Sequence, residues 1–296
     1  GNIYSVDGTI PGGKAYVTMS GTSMASPQIA GMAALVTQYI RENKLDEKTG
    51  VDVRVLTQSL LMSTAVPMVE ESSLNYYPVL RQGAGLADVG DAVAANSYIL
   101  MNGDATRSAG DGKVKAELLD DPERTGDYSF GFTLNNLRDE AQQYVLSCAL
   151  FTQGLFTEEN ITYLDTETVD LLANVTWTVD GKTLTPDLDP DKYDVTGDKL
   201  VNGEDVQAIL DYVLGKREII GENADLNGDG EITSYDAYLL LQKLGAGTVT
   251  LPAGGKLDVT VKLQLTDGQK AQLNENYKNG AYVEGFVFAQ QLSTAE

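Results

Sequence analysis

An internal repeat is the feature that most restricts how this sequence can fold. The stretch "DVTGDKLVNGEDVQAILDYVL", which begins at Asp194, aligns with "DLNGDGEITSYDAYLLLQKL", which begins at Asp225, 31 residues later. In each copy an acidic, turn-rich stretch precedes apolar residues at helical spacing. The aligned apolar positions are Val206, Ile209, Leu210 and Val213 in the first copy and Ala237, Leu240, Leu241 and Leu244 in the second. The repeat predicts two loops, each followed by an amphipathic helix.

Both loops carry oxygen donors at the spacing that calcium requires. Calcium takes hard oxygen ligands from loop positions 1, 3, 5, 7 and 12, with a glycine at position 6 for the sharp turn. In the second loop these ligands are Asp225, Asn227, Asp229, the carbonyl of Glu231, and Asp236, with Gly230 at position 6. In the first loop they are Asp194, Thr196, Asp198, the carbonyl of Leu200, and Asp205, with Lys199 at position 6. The second loop predicts a complete calcium site and the first a degraded one; a solvated acidic turn is the alternative for each.

The residues before each loop decide which kind of calcium module this is. An EF-hand needs a helix before its loop as well as after it. The stretch "TPDLDPDKY" before Asp194 contains two prolines, and "REIIGENA" before Asp225 is too short for a loop and a full helix. Two loop-then-helix units resemble a type I dockerin, a family that binds cohesin domains. The resemblance implies that positions 10 and 11 of each loop contact the partner: Gly203, Glu204, Ser234 and Tyr235. A calcium-stabilised insertion without a partner is the alternative.

Strand-like sequence flanks this module on both sides. Apolar and polar residues alternate in "KVKAELL", "YSFGFTL", "QYVLSCALF" and "VTWTV" before it, and in "TVTLPAG", "KLDVTVKLQL" and "AYVEGFVF" after it. Short strands at this spacing predict a β-sandwich made of residues 101–185 and 246–296, interrupted by the module at 186–245. Cys148, the single cysteine, lies in one of these runs and is predicted to be a packing residue.

Residues 1–100 have a different pattern. From Met24 to Ile40 the sequence is apolar on nearly every face of a helix, so we expect this helix to be covered on all sides within a sizeable domain. A second helical pattern runs from Val51 to Ala65, and a glycine-rich turn then leads into a short helix. These features predict the tail of an α/β domain.

The stretch "SGTSMASPQIAG", Ser20 to Gly31, places a serine where a helix begins. The positive end of the helix dipole and the serine N–H can stabilise an oxyanion there. If each of these features is considered alone, the alternative is a polar loop that caps a buried helix. The whole stretch resembles the nucleophile motif of the subtilases, and this resemblance implies that Ser23 is the nucleophile. Gln28 stands where that motif usually has a histidine, at a position that is not catalytic.

The chain contains no histidine, although a serine nucleophile needs a base. In subtilases the aspartate and the histidine precede the serine along the chain. We therefore expect both to lie upstream of residue 1, and the chain to be a C-terminal piece without proteolytic activity of its own. The stretch "RQGAGLADVGDAVAA" resembles the end of the catalytic domain in lactocepin-type cell-envelope proteinases, and the strands resemble the fibronectin type III-like domain that follows it.

These resemblances imply a multidomain protein: the C-terminal part of a subtilase α/β domain, then an all-β fibronectin type III-like sandwich with an inserted α-helical dockerin-like calcium module. They also imply an extracellular or wall-attached bacterial location and protein or peptide substrates. The net charge of −22 argues against nucleic acid or an anionic membrane as the main partner, because both would repel the chain. No apolar run approaches the ~20 residues that span a bilayer.

Two functions remain open from the sequence. One is a subtilisin-like serine endopeptidase that carries a calcium-binding module. The other is a non-catalytic, calcium-dependent binding module on a β-sandwich spacer. Upstream sequence with the aspartate and histidine motifs of a subtilase would favour the first, and unrelated sequence would favour the second.

Overall fold

The computed structural model describes residues 2–10, 12, 15–71, 73, 75–103, 110–184, 188–197, 199, 201, 203–244 and 247–292. Its helices are α1 Thr22–Glu42, α2 Leu45–Thr49, α3 Val53–Ser63, α4 Val79–Gln82, α5 Val89–Ala94, α6 Pro190–Tyr193, α7 Gly203–Val213, α8 Ser234–Leu244 and α9 Asp267–Asn276. Its strands are β1 Ile3–Val6, β2 Tyr16–Met19, β3 Ser97–Met101, β4 Asp127–Asn136, β5 Gln142–Glu158, β6 Ile161–Asp170, β7 Ala173–Val179, β8 Lys182–Leu184, β9 Gly247–Leu251, β10 Lys256–Leu265 and β11 Glu284–Gln291.

The N-terminal part is an antiparallel hairpin, β1–β2, followed by packed helices. Helix α1 extends beyond the predicted span at both ends. The side chain of Asp52 caps α3 by accepting hydrogen bonds from the backbone N–H of Arg54 and Val55. The helices share a core whose members include Val36, Ile40, Leu56, Leu60, Ala92 and Tyr98. The strand pairs among the described residues are antiparallel, so the parallel sheet of an α/β domain stays a prediction.

Helix α1 is covered on one side only, contrary to the expectation from its sequence. Val36 and Ile40 are fully buried, whereas Ile29 is 45% and Leu35 is 55% exposed. Tyr4 in the neighbouring hairpin is 69% exposed. The apolar faces that the sequence pattern assigns to a domain interior therefore lie open to solvent in this chain.

We predict that α1 exchanges its amide hydrogens faster than the central strands β4 and β10. An open apolar face contributes little burial, and local opening then costs less free energy. Hydrogen exchange followed by mass spectrometry compares the two regions in one experiment. Protection of residues 22–42 equal to that of strand β10 would contradict this prediction.

The middle and C-terminal strands form two antiparallel sheets. The first has the order β3-β4-β10-β7-β8; the second has the order β11-β5-β6, with β9 also paired to β5. Strand β10 matches the predicted run, and its residues alternate between exposed and buried. The two sheets share one core, formed by Phe132, Leu134, Tyr144, Leu146, Trp177, Val179, Val249, Leu251, Leu257, Val259, Val261 and Leu263. Cys148 packs against this core, and burial raises the pKa of its thiol to about 12, so the thiol stays protonated.

Three elements differ from the sequence prediction. The run "KVKAELL" forms no strand; its charges pair locally, as in the ion pair between Lys115 and Glu117. Strand β6 was not predicted, and it lies beside the long strand β5. Helix α9 breaks the all-β pattern, and its N-cap Thr266 accepts a hydrogen bond from the backbone N–H of Gln269 at 3.2 Å.

The repeat forms a separate helical unit that is anchored on the first sheet. Helices α7 and α8 pack together around a core that includes Val195, Val206, Ile209, Ala224, Ala237 and Leu240. Leu172, from the turn between β6 and β7, is buried in the same core. The side-chain oxygen of Asn174 accepts a hydrogen bond of 2.8 Å from the backbone N–H of Gly203, where α7 begins. The unit therefore packs directly against the sandwich.

Each loop is preceded by a single short turn of helix. Helix α6 has four residues, with Pro190 at its first position, and a three-residue 3-10 turn, Glu222–Ala224, precedes the second loop. Both are too short to be the incoming helix of an EF-hand, as the residues before each loop predicted. Among the residues that the structure describes, no helix is long and apolar enough to span a membrane.

Candidate functional site

The second loop is organised by two carboxylates. Asp225 accepts hydrogen bonds from the backbone N–H of Gly228 at 2.8 Å and of Gly230 at 2.9 Å. Asp236, in the first turn of α8, accepts from the backbone N–H of Leu226 at 2.9 Å and of Thr233 at 2.9 Å. The two ends of the loop are thus held to its middle by negatively charged side chains that a calcium loop needs at positions 1 and 12.

Asp236 is fully buried, and its environment keeps it ionised. Burial by itself would raise the pKa of this carboxyl group. The hydrogen bonds from Thr233, Leu226 and Asn227 together outweigh burial and hold the pKa of Asp236 below its ordinary value. The buried end of the loop therefore carries a full negative charge at neutral pH.

Asn227, Asp229 and Glu231 form the exposed rim of the second loop. The amide nitrogen of Asn227 donates to the carboxylate of Asp229 at 2.7 Å. The other oxygen of Asp229 accepts from the backbone N–H of Glu231 at 2.8 Å. These bonds keep the predicted ligands at positions 3, 5 and 7 within one short turn.

The described part of the first loop repeats the hydrogen bonds that the two end carboxylates make in the second loop. Asp194 accepts hydrogen bonds from the backbone N–H of Gly197 at 2.6 Å and of Lys199 at 2.7 Å. Asp205 is fully buried and accepts from the backbone N–H of Val195 at 2.9 Å and of Thr196 at 3.1 Å. The predicted ligands Asp198 and Leu200 lie outside the described residues. The described part of the first loop has the backbone pattern of the second, although its sequence is less typical.

Lys199 marks the difference between the two loops. It has a φ of 69°, and Gly230 at the equivalent position has a φ of 87°. A residue with a Cβ pays a steric cost in this left-handed region that glycine avoids. The first loop therefore reaches the same turn with local backbone strain.

We predict that Lys199→Gly stabilises the helical unit by about 1 kcal/mol, because it removes this strain. Lys216→Gly is the matched control, since Lys216 lies in a turn of the same unit without a positive φ. Thermal unfolding followed by circular dichroism compares the two variants with the parent chain. A melting temperature for Lys199→Gly at or below that of the parent would contradict the strain assigned to Lys199.

The donor set suits calcium by its chemistry. The second loop offers three carboxylates, one amide oxygen and one backbone carbonyl, all of them hard oxygen ligands. Within the part of the chain that the structure describes, no group of three or more acidic, histidine or cysteine side chains converges as a preformed metal site. Several carboxylate oxygens instead accept amide hydrogen bonds from the loop. The residues that would hold the ion are those at positions 1, 3, 5, 7 and 12.

One contact between the repeats could not be found from the alignment. The side-chain amide of Asn223 donates a hydrogen bond of 2.6 Å to the backbone carbonyl of Asp194. The residue at the equivalent place in the first repeat is Lys192, so the repeat pattern carries no sign of this role. Asn223 ties the entry of the second loop to the first residue of the first loop.

The four residues assigned to partner contact have unequal surroundings. Gly203 is buried against the sandwich, and a Cβ added there would lie 2.8 Å from the side-chain oxygen of Asn174. Glu204, Ser234 and Tyr235 are exposed. The ring of Tyr235 stacks on that of Tyr238 with 6.1 Å between centroids. The second repeat thus presents an open aromatic surface, and the first repeat is partly covered.

Ser23 lies at the exposed start of α1. The helix begins at Thr22, and its N-cap Gly21 provides the carbonyl that accepts from the backbone N–H of Met24 at 3.0 Å. The hydroxyl of Ser23 has no hydrogen-bond partner among the described residues. Its position at the positive end of a 21-residue helix is the one the sequence predicted.

Pro27 lies inside α1. Because the helix begins at Thr22, Pro27 is in the second turn and cannot donate to the carbonyl of Ser23, four residues earlier. The backbone carbonyl of Ser23 therefore lacks the N–H donor that it would otherwise have within the helix.

Comparison with known proteins identifies two segments. Residues 2–103 match the model of the subtilase family, and residues 192–245 match the model of the dockerin type I domain. The PII-type proteinase of Lactococcus lactis subsp. cremoris is 31% identical over 167 residues, 53% of this chain and 8% of that protein. A PII-type proteinase of Lacticaseibacillus paracasei matches to the same extent. The C5a peptidase of Streptococcus pyogenes is 36% identical over 85 residues, 28% of this chain and 7% of that protein. The chain thus spans less than a tenth of these relatives.

Proposed function

We propose that this chain, in which residues 2–103 match the subtilase family model and residues 192–245 match the dockerin type I model, is part of a serine endopeptidase with Ser23 as nucleophile. The observation that supports this most is the exposed serine at the N-terminus of α1 inside the matched segment. The backbone N–H of Ser23 would stabilise the oxyanion of the acyl-transfer step. The histidine that acts as general base would come from outside these 296 residues, because they include no histidine.

The proposal has four further parts. We assign residues 1–100 to the C-terminal part of the catalytic domain, 101–185 and 246–296 to a fibronectin type III-like sandwich, and 186–245 to the calcium module. In the module, Asp194, Thr196, Asp198, Leu200 and Asp205 would hold one ion, and Asp225, Asn227, Asp229, Glu231 and Asp236 would hold another. Calcium would supply the positive charge that offsets the clustered carboxylates. An extracellular or wall-attached location and protein or peptide substrates complete the proposal.

The test of the catalytic assignment uses the protein as its natural source makes it. A fluorophosphonate probe reacts with an activated serine, and mass spectrometry identifies the labelled peptide. We expect the label on Ser23 and its loss in a Ser23→Ala variant. Labelling at another serine, with Ser23 unmodified, would contradict the assignment.

A non-catalytic binding module is the second candidate, favoured by the absence of histidine and by the open aromatic surface of the second repeat. Its partner would be a cohesin domain that contacts Gly203, Glu204, Ser234 and Tyr235. Because Gly203 is buried, we expect binding through Ser234 and Tyr235 to dominate. Calorimetry with a panel of type I cohesins tests this expectation. If the second repeat makes the main contact with the partner, Tyr235→Ala weakens binding more than Glu204→Ala does. Equal losses in the two variants would contradict that asymmetry.

A further inference from the structure

A cleft lies beside the sandwich, and helix α8 of the calcium module contributes part of its wall. Its volume is about 2080 Å³, and its lining includes residues of α8, of strands β5, β6 and β11, and of the loop before α4. The module is held in place by Leu172, which is buried in its core, and by the hydrogen bond from Gly203 to Asn174. Docking of the module thus adds α8 to the wall of the cleft.

Aromatic rings form much of the cleft wall. Tyr235 and Tyr238 of α8 stack on each other, and they are 54% and 50% exposed. Tyr76 stacks on the buried ring of Phe151 with 5.5 Å between centroids, and it also contacts Phe286 at 5.3 Å. Rings of this kind offer negatively polarised faces to a ligand.

Asp170, the last residue of β6, places a carboxylate in the same cleft. Its side chain has no hydrogen bond or ion pair among the described residues. The residue is exposed because the cleft is open, yet the surrounding protein raises the pKa of Asp170 through burial. Burial, and then electrostatic repulsion by Tyr238 and Asp170, raises the pKa of Tyr76. Asp170 is paired with Phe151 across β5 and β6, and Tyr76 stacks on the ring of Phe151, so Asp170 and Tyr76 are neighbours in the cleft whose lining also includes Tyr238.

The cations that line the cleft are already engaged. Lys115 is paired with Glu117, and Lys270 is paired with Asp267 at 2.7 Å. A guanidinium nitrogen of Arg124 donates to the side-chain oxygen of Asn274 at 2.6 Å. The carboxylate of Glu284, also in the lining, accepts from the backbone N–H of Val79 at 2.7 Å. Asp170 is thus a charge in the cleft that still lacks a counterpart.

We propose that this cleft binds a cationic side chain of a polypeptide segment, arginine or lysine, with its charge at Asp170 and its apolar stem against Tyr76 and Tyr238. A cation over an aromatic face and beside a carboxylate gains both electrostatic contacts at once. The volume exceeds the roughly 1,000 Å³ of a small-molecule pocket, which leaves room for several residues. The net charge of −22 draws a cationic segment toward the chain. This inference goes beyond the proposed protease and cohesin functions.

Calorimetry with two matched peptides tests the proposal on the full chain in calcium-containing buffer of low ionic strength. The peptides are acetyl-Gly-Arg-Gly-amide and the same peptide with citrulline, a neutral analogue of arginine. We expect the arginine peptide to bind at least about threefold more tightly. Asp170→Asn is expected to remove this difference, and Tyr238→Ala to weaken the arginine peptide by about threefold.

Glu158→Gln is the control variant, because Glu158 is exposed at the end of β5, outside the cleft, and the substitution changes the net charge by the same amount as Asp170→Asn. It is expected to leave the preference for arginine intact. Equal binding of both peptides by the parent chain would overturn the proposal without any variant. Equal losses in Asp170→Asn and Glu158→Gln would also overturn it, since they would indicate attraction by net charge alone.

Discussion

Asp225→Ala is expected to unfold helix α8 in the presence of calcium. The substitution removes the ligand at position 1 and two hydrogen bonds to the loop, from Gly228 and Gly230. Bonds to a charged acceptor contribute about 1.5–3 kcal/mol each, so the loss is large compared with the stability of a unit this small. Circular dichroism should record a loss of helical signal and a melting temperature of the module well below that of the parent chain.

The first loop provides the comparison for this prediction. Asp194→Ala is expected to have a smaller effect, because the strain at Lys199 already limits what the first loop contributes. Glu218→Ala, an exposed position between the repeats, is the control and is expected to have no effect. A larger loss for Asp194→Ala than for Asp225→Ala would contradict the asymmetry between the loops.

The 296-residue chain by itself is expected to hydrolyse peptides at least about 10⁶-fold more slowly than an intact subtilase. The magnitude is borrowed from subtilisin, in which removal of the serine or the histidine costs about this factor. The physical reason is that the chain has no histidine to take the proton of Ser23. A fluorogenic casein assay gives the rate, and Ser23→Ala provides the background. A Ser23-dependent rate near that of an intact subtilase would contradict the prediction.

Some elements could be predicted because their sequence signal lies within one short stretch of the chain. Strand β10 matches its alternating run because each buried residue faces one core. The two calcium-type loops were found because their donors follow a fixed spacing, and the structure gives both loops the same amide hydrogen bonds. Helix α9 also had a local signal, a threonine three residues before a glutamine, but its low apolar content hid it.

Non-local contacts account for what the sequence did not predict. The side chain of Asn174 accepts a hydrogen bond from the backbone at the start of α7, and the side chain of Asn223 links the two loops. Neither contact produces a repeating pattern in the sequence. The alternation in "KVKAELL" indicated a strand that no neighbouring strand pairs with among the described residues. Asp170, Tyr76 and the tyrosines of α8 line one cleft although they are far apart in the sequence.

Folding of the calcium module is expected to depend on the ion more than folding of the sandwich does. The shared core of the two sheets includes no residue of the module, whereas Leu172 belongs to the core of the module. A chelator should therefore melt α7 and α8, leave the sheets folded, and expose only the end of the sandwich near Leu172.

Calorimetric titration of the chain with calcium tests the central claim most directly, because it measures whether residues 192–245 bind the ion at all. We expect binding with a dissociation constant below about 1 mM, within the range of extracellular calcium modules or tighter. We also expect a gain of helical signal as the ion binds. A titration without heat of binding up to millimolar calcium, and with an unchanged helical signal, would contradict the account.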